Sequence, residues 1–174
     1  MVELVCHPDT PSHAVTGIAV HASRTAEGKL ALHYSISGQI AKLRVPPPGP
    51  ARIGWKLWRH TCCELFVREK NAAAYREFNF APSGEWTIYA FSKYREGGPL
   101  ADESTNPQIA VQSGPGRLDL YALADLQDHG KTPLALGLAT VIEEESGSIS
   151  YWALRHAPGK PDFHHASAFS LELP

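Results

Sequence analysis

The chain has 174 residues, 43% of them hydrophobic and 20% charged, with a net charge of -2. That is about one domain's worth of chain, apolar enough to offset its own ordering entropy, so disorder is excluded as the main state. The longest apolar stretch, Leu134 to Ile142, falls far short of the roughly 20 residues a membrane helix needs, and no lysine/arginine block offers a phosphate-binding surface. Neither a membrane nor a nucleic acid is expected as partner.

Glycine and proline, 14 of each, punctuate the chain at the density of short strands joined by turns. Val15 to Ala22 and Lys29 to Ile36 read as strands around a Gly28 turn. In the second, Leu30, Leu32, Tyr34 and Ile36 alternate with Ala31, His33 and Ser35. Pro46 to Pro50 can join no ladder and reads as a stiff loop within one domain. Thr61 to Val67 and Tyr75 to Phe80 are the next strands, with Glu69 to Ala74 a short loop or single helical turn between them. Pro82-Ser83-Gly84 is a turn before the strand Trp86 to Phe91, and Pro99 to Pro107 is a long loop. Ile109 to Gln112 and Leu118 to Ala122 flank the hairpin turn Gly114-Pro115-Gly116. Ala124 to His129 reads as a brief helix, Leu134 to Glu143 and Ile149 to Leu154 flank Ser146-Gly147, and Ala168 to Leu173 closes the chain. Roughly ten strands with little helix make an all-β antiparallel β-sandwich or barrel, a single domain over residues 1–174.

Three cysteines, Cys6, Cys62 and Cys63, form no disulfide framework. Cys6 and one of the adjacent pair are expected as buried thiols. Trp55, Trp86 and Trp152 are expected in the core. The start of the sequence lacks a signal-peptide pattern, so a reducing cytoplasm is the expected compartment.

The densest chemistry lies between Trp55 and Glu96. Alternation puts Cys63, Leu65 and Val67 on one face of their strand and Cys62, Glu64 and Phe66 on the other. It separates Phe78 and Phe80 from Tyr75, Glu77 and Asn79 in the same way. If the two strands are antiparallel neighbours, Glu64, Glu77 and Asn79 share a polar, partly aromatic surface. Hydrogen-bonding groups for hydroxyls beside flat apolar rings are what a sugar requires. The alternative is a solvated outer face with cross-strand ion pairs.

The segments Trp58-Arg-His-Thr-Cys-Cys-Glu64-Leu-Phe-Val, Tyr75-Arg-Glu-Phe-Asn-Phe-Ala-Pro-Ser-Gly84, Tyr94-Arg-Glu-Gly and Arg155-His-Ala-Pro-Gly-Lys-Pro-Asp-Phe-His-His165 resemble the bacterial DOMON-like proteins, which belong with the family 9 carbohydrate-binding modules. The similarity runs from about Val15 to Leu173. It implies a two-sheet antiparallel sandwich with a ligand site on a concave face and its rim loops. It implies non-catalytic binding of a sugar or similar small polar ligand, with Trp58 as stacking platform and Glu64, Glu77 and Asn79 at the hydroxyls. Arg76 or Arg95 would supply the guanidinium. Phe163, His164 or His165 would form the second wall, where the family carries tryptophan.

Other readings are weaker. Met/His haem ligation lacks a methionine beyond Met1, and adjacent His164 and His165 cannot easily serve one iron. His60, Cys62, Cys63, Asp162, His164 and His165 are ligand types without metal-site spacing. No cofactor is expected. No nucleophile elbow or phosphate loop signals an enzyme. A protein partner or a second copy of the chain is the alternative occupant of the concave face.

Overall fold

The computed structural model describes residues 1–100, 104, 106–126 and 132–174. Thirteen strands run through the described residues: β1 (Val2–Cys6), β2 (Val15–Arg24), β3 (Leu30–Gly38), β4 (Arg52–Ile53), β5 (Cys62–Glu69), β6 (Tyr75–Phe80), β7 (Glu85–Lys93), β8 (Glu96–Pro99), β9 (Gln108–Gly114), β10 (Arg117–Ala124), β11 (Leu134–Glu143), β12 (Ile149–Ala153) and β13 (Leu171–Leu173). The path is β4-β7-β6-β5-β11-β12-β1-β2-β3-β10-β9, with β13 on β11 and β8 on β7. All pairings are antiparallel except β4 with β7. No helix among the described residues is long and apolar enough to cross a membrane.

The ribbon folds into a β-sandwich at β1. Val2 to Leu4 pair with β2, while Val5 and Cys6 pair with β12, so one short strand belongs to both layers. The layers meet over a core that period-two alternation builds. On one side lie Leu30, Leu32, Tyr34 and Ile36, in register with Ala124, Ala122, Leu120 and Leu118. On the other lie Cys63, Leu65, Val67, Phe78, Phe80, Trp86 and Ile88. The fully buried Tyr34 hydroxyl donates across the core to the Glu64 carbonyl oxygen at 2.8 Å, tying the strand that carries Glu64 to the opposite layer.

The outer face of the second layer is covered as well. Phe66, Tyr75, Ala135, Ala139, Val141 and Ala153 form a second apolar cluster, closed by Phe163 and Phe169 of the irregular segment 154–170. All ten residues of β11 are therefore buried, which accounts for its near-continuous apolar sequence. The covering segment is held by His7 Nε2 on the Gly159 carbonyl at 2.9 Å and His156 Nε2 on the Val5 carbonyl at 2.8 Å. Gly137 admits it closely, since a Cβ there would stand 3.1 Å from the Ala168 carbonyl oxygen.

The Pro46 to Pro50 loop docks on the β6–β7 turn through Gly49 N–H to the Ser83 carbonyl. Gly84 sits there at φ +88°, and a Cβ would meet the Gly49 carbonyl oxygen at 2.5 Å. Gly84→Ala is expected to cost about 1–3 kcal/mol from backbone strain and this clash. Urea unfolding with a lowered midpoint and unchanged slope is the expected record. An unchanged midpoint would show that the loop gives way freely.

Several expectations need correction. β1, β4 and β8 are additional strands. The closing strand is shorter, because Ala166–Ala168 forms a 3₁₀ turn and Phe169 turns into the second cluster. Trp55 is 60% exposed, lying between Gly54 and left-handed Lys56 where the chain turns at the surface. Both Cys62 and Cys63 are buried, since both faces of β5 are covered, and Cys6 is only half-buried. Ala124 ends β10, Asp125 and Leu126 join no regular element, and the rest of the expected helix lies outside the described residues. So do residues 101–103 and 105 of the expected Pro99 to Pro107 loop.

Candidate functional site

Register assembles the site. Glu64 pairs with Asn79 and Phe66 with Glu77 across β5 and β6, and Glu77 pairs with Tyr89 across β6 and β7. Alternation then places Phe91 beside Tyr89 on the same outer face. Segment 154–170 folds over one side of this patch, and the 3₁₀ turn Leu57–Arg59 brings Trp58 to another. The result is an open cavity of about 670 Å³, within the range of small-molecule sites. Its walls are aromatic and its floor carries two carboxyl groups.

Glu64 and Glu77 are only 2% and 4% exposed. Asn79, wholly buried behind them, donates from Nδ2 to Glu77 Oε1 at 2.7 Å and accepts from the Cys62 thiol at 3.6 Å. Glu64 Oε1 has no hydrogen-bond partner. Burial, and then the neighbouring Glu77, holds the Glu64 carboxyl well above the usual carboxylate range. Burial also raises Glu77, against the hydrogen bond from Asn79 and the charge of Arg95. The pair thus keeps a proton at pH values where an exposed carboxyl has lost it. The alternative of a solvated outer face is overturned, because the covering segment removes these groups from water.

His164 reaches into the same space. Its Nε2 stands 3.5 Å from Glu77 Oε2, and its Nδ1 lies 2.8 Å from the Tyr75 hydroxyl. That hydroxyl accepts the Arg95 backbone N–H at 3.0 Å, leaving its own proton for Nδ1. Burial, followed by the charge of Arg95, pushes the imidazole down to about 4. The contact with Glu77 is therefore a neutral N–H facing a carboxyl. Arg95, left-handed at φ 55°, binds Asp162 Oδ1 at 2.9 Å, while Tyr94 donates to Oδ2 at 2.7 Å. Burial raises the Asp162 carboxyl, but these hydrogen bonds outweigh it and hold the group below its ordinary value. Asp162 Oδ1 also accepts the His164 backbone N–H at 3.1 Å, so one carboxylate positions the histidine and the arginine together.

Of the residues singled out from sequence, Trp58, Glu64, Glu77, Arg95, Phe163 and His164 line this cavity, and Asn79 supports Glu77 from behind. Two do not join them. Arg76 alternates with Glu77, so it points to the other side of β6 and donates to the Leu126 carbonyl at 3.2 Å. His165 turns outward and accepts the Ser167 backbone N–H, capping the last 3₁₀ turn beside a separate, smaller cavity. Phe66, Tyr89, Phe91, Tyr151 and Lys160 line it as well. The first three were within reach of strict alternation, whereas Tyr151 and Lys160 arrive through tertiary packing. Trp58 is 42% exposed, with the Arg59 guanidinium 5.2 Å from its ring centre. Among the described residues no group of three or more His, Cys, Asp and Glu side chains is gathered as metal ligands. His60 instead contacts Glu143 at 2.7 Å.

No protein-family model matches the chain, and no curated protein does. Solved structures do. A candidate carbohydrate-binding protein from Bacteroides uniformis ATCC 8492 superposes with a TM-score of 0.65 at 13% identity, over 95% of this chain and 82% of that one. A family 9 carbohydrate-binding module from Caldicellulosiruptor kristjanssonii, solved in complex with glucose, gives a TM-score of 0.50 at 10% identity, over 86% of this chain and 71% of that one. At these identities the likeness is one of fold: the chain shares the β-sandwich of carbohydrate-binding proteins.

Proposed function

We propose that this chain is a single DOMON-like domain that binds a small carbohydrate without transforming it. The observation that carries the reading is the buried carboxyl pair, Glu64 and Glu77, at the floor of an open cavity walled by aromatic rings. Carboxyls accept and donate to ring hydroxyls, while Trp58 and Phe163 offer faces to the C–H patches of a sugar. Arg95, held by Asp162, presents its remaining N–H donors at the wall. The glucose complex of the Caldicellulosiruptor module supports the same class of ligand on the same fold. Binding rather than hydrolysis is supported by the two solved structures of this fold, both described as carbohydrate-binding.

A thermal-shift screen of mono- and oligosaccharides tests this. A ligand at 100 times its dissociation constant adds about 2.7 kcal/mol of stability. Trp58→Ala is expected to weaken a hit by up to about tenfold, the worth of one ring contact of roughly 0.5–1.5 kcal/mol. Affinity unchanged in both Trp58→Ala and Glu64→Gln would overturn the reading.

A further inference from the structure

The floor of the cavity carries two carboxyl groups, and among the described residues neither forms an ion pair with a lysine or arginine. Arg95 acts on Glu77 through its charge, but its Nε and Nη2 are held by Tyr94 and Asp162. Lys160 is exposed at the cavity mouth. The other titratable groups facing the pair are Cys62 on β5, Tyr75 on β6, Tyr89 on β7 and His164 on the covering segment, and none is a cation at neutral pH. Glu64 lines the cavity, and its Oε1 is buried without a donor. Phe66, Tyr89, Phe91 and Phe163 close around it with aromatic walls. Carboxyls that lack a counter-ion inside an aromatic enclosure are the arrangement that recognises organic ammonium groups, through charge-assisted hydrogen bonds and cation–π contact.

We infer that the ligand of this cavity carries a protonated amine, as a 2-amino sugar does, with its ammonium seated between Glu64 and Glu77. The sugar part of this statement rests on the function proposed above. The ammonium keeps its proton, and the proton that the carboxyl pair retains leaves to solvent as both become carboxylates.

Titration calorimetry at pH 6.5 with glucosamine, glucose, N-acetylglucosamine and cyclohexylammonium tests it. Glucosamine is expected to bind at least tenfold more tightly than glucose, and neutral N-acetylglucosamine no more tightly than glucose. The glucosamine enthalpy should vary with the ionisation enthalpy of the buffer, reporting proton release, while that of glucose should not. Glu64→Gln should bring glucosamine down to the level of glucose; the buffer series on the unaltered protein stands even if that variant folds poorly. Glucosamine no tighter than glucose overturns the amine and leaves the sugar reading intact. Cyclohexylammonium binding with no sugar bound overturns the sugar and supports the cation. Silence from all four overturns both.

Discussion

Phe66→Ala is expected to destabilise the protein by about 3–5 kcal/mol, the usual cost of emptying a buried phenylalanine site. Phe66 is 1% exposed, and its ring meets those of His164 at 5.1 Å and of Phe163 and Phe169 at 6.3 Å each. With Tyr75 and Phe91 it forms the aromatic bed of the covering segment, and its loss should be felt there first. Hydrogen exchange at the His164 and Ala168 amides, which donate to Asp162 and to the His165 carbonyl, should accelerate beyond the global change. Leu65→Ala is the control. Its neighbour on β5 faces the core between the layers, so a loss of about 2–5 kcal/mol should leave ligand affinity intact. Equal effects of the two variants on affinity would show that the cavity does not depend on Phe66.

A second large effect lies in acid. The His164 imidazole is held at about 4 in the folded chain, below its ordinary value of about 6.5. The unfolded chain therefore takes up the proton first as the pH falls. Stability from the neutral ring is complete above about 6.5 and is lost progressively down to about 4. At about 1.4 kcal/mol per unit, the full loss is about 3 kcal/mol. Facing His164 are Glu77 and Tyr75 of β6, Phe66 of β5, Phe91 of β7 and the Arg95–Asp162 pair. The Glu64–Glu77 pair runs with the opposite sign. Its carboxyls are raised in the folded state, so they favour folding at low pH and oppose it as the pH climbs above the ordinary carboxylate range. His164→Phe keeps a ring in place and removes the titration. Urea unfolding should show the stability lost between pH 7 and pH 4 reduced by about 3 kcal/mol in that variant. Parallel slopes in the two proteins would mean the histidine is not held neutral.

Much of the floor was legible because alternation is a local property. The residues between Cys62 and Val67 and between Tyr75 and Phe80 sort themselves into faces without knowledge of their neighbours, and the observed register aligns those faces. The strand run from Leu30 to Ile36 is legible for the same reason. What sequence could not supply was the cover. Segment 154–170, rich in histidine, alanine and proline, has no period, so nothing in it announces that it lies across β5 and β11. That cover is what turns Glu64 and Glu77 from a solvated face into a buried pair, while Cys62 is buried by Leu57 and Ala81. β8 was hidden by its composition, Glu96-Gly-Gly-Pro99, which reads as a turn. Trp55 misled because aromatic character says only that burial is favourable, not that the chain turns inward there.

The strand shared by both layers bears on how the chain is made. Val5 must wait for Ala153, about 150 residues later. At a synthesis rate of about 5–20 residues per second, β1 leaves the ribosome roughly 7–30 s before its β12 partner exists. In that interval the hairpin of β2 and β3 can form, and β1 can dock on β2 through Val2 to Leu4. The Val5-Cys6 end must stay unpaired until β12 has emerged, so closure of the sandwich comes late in folding.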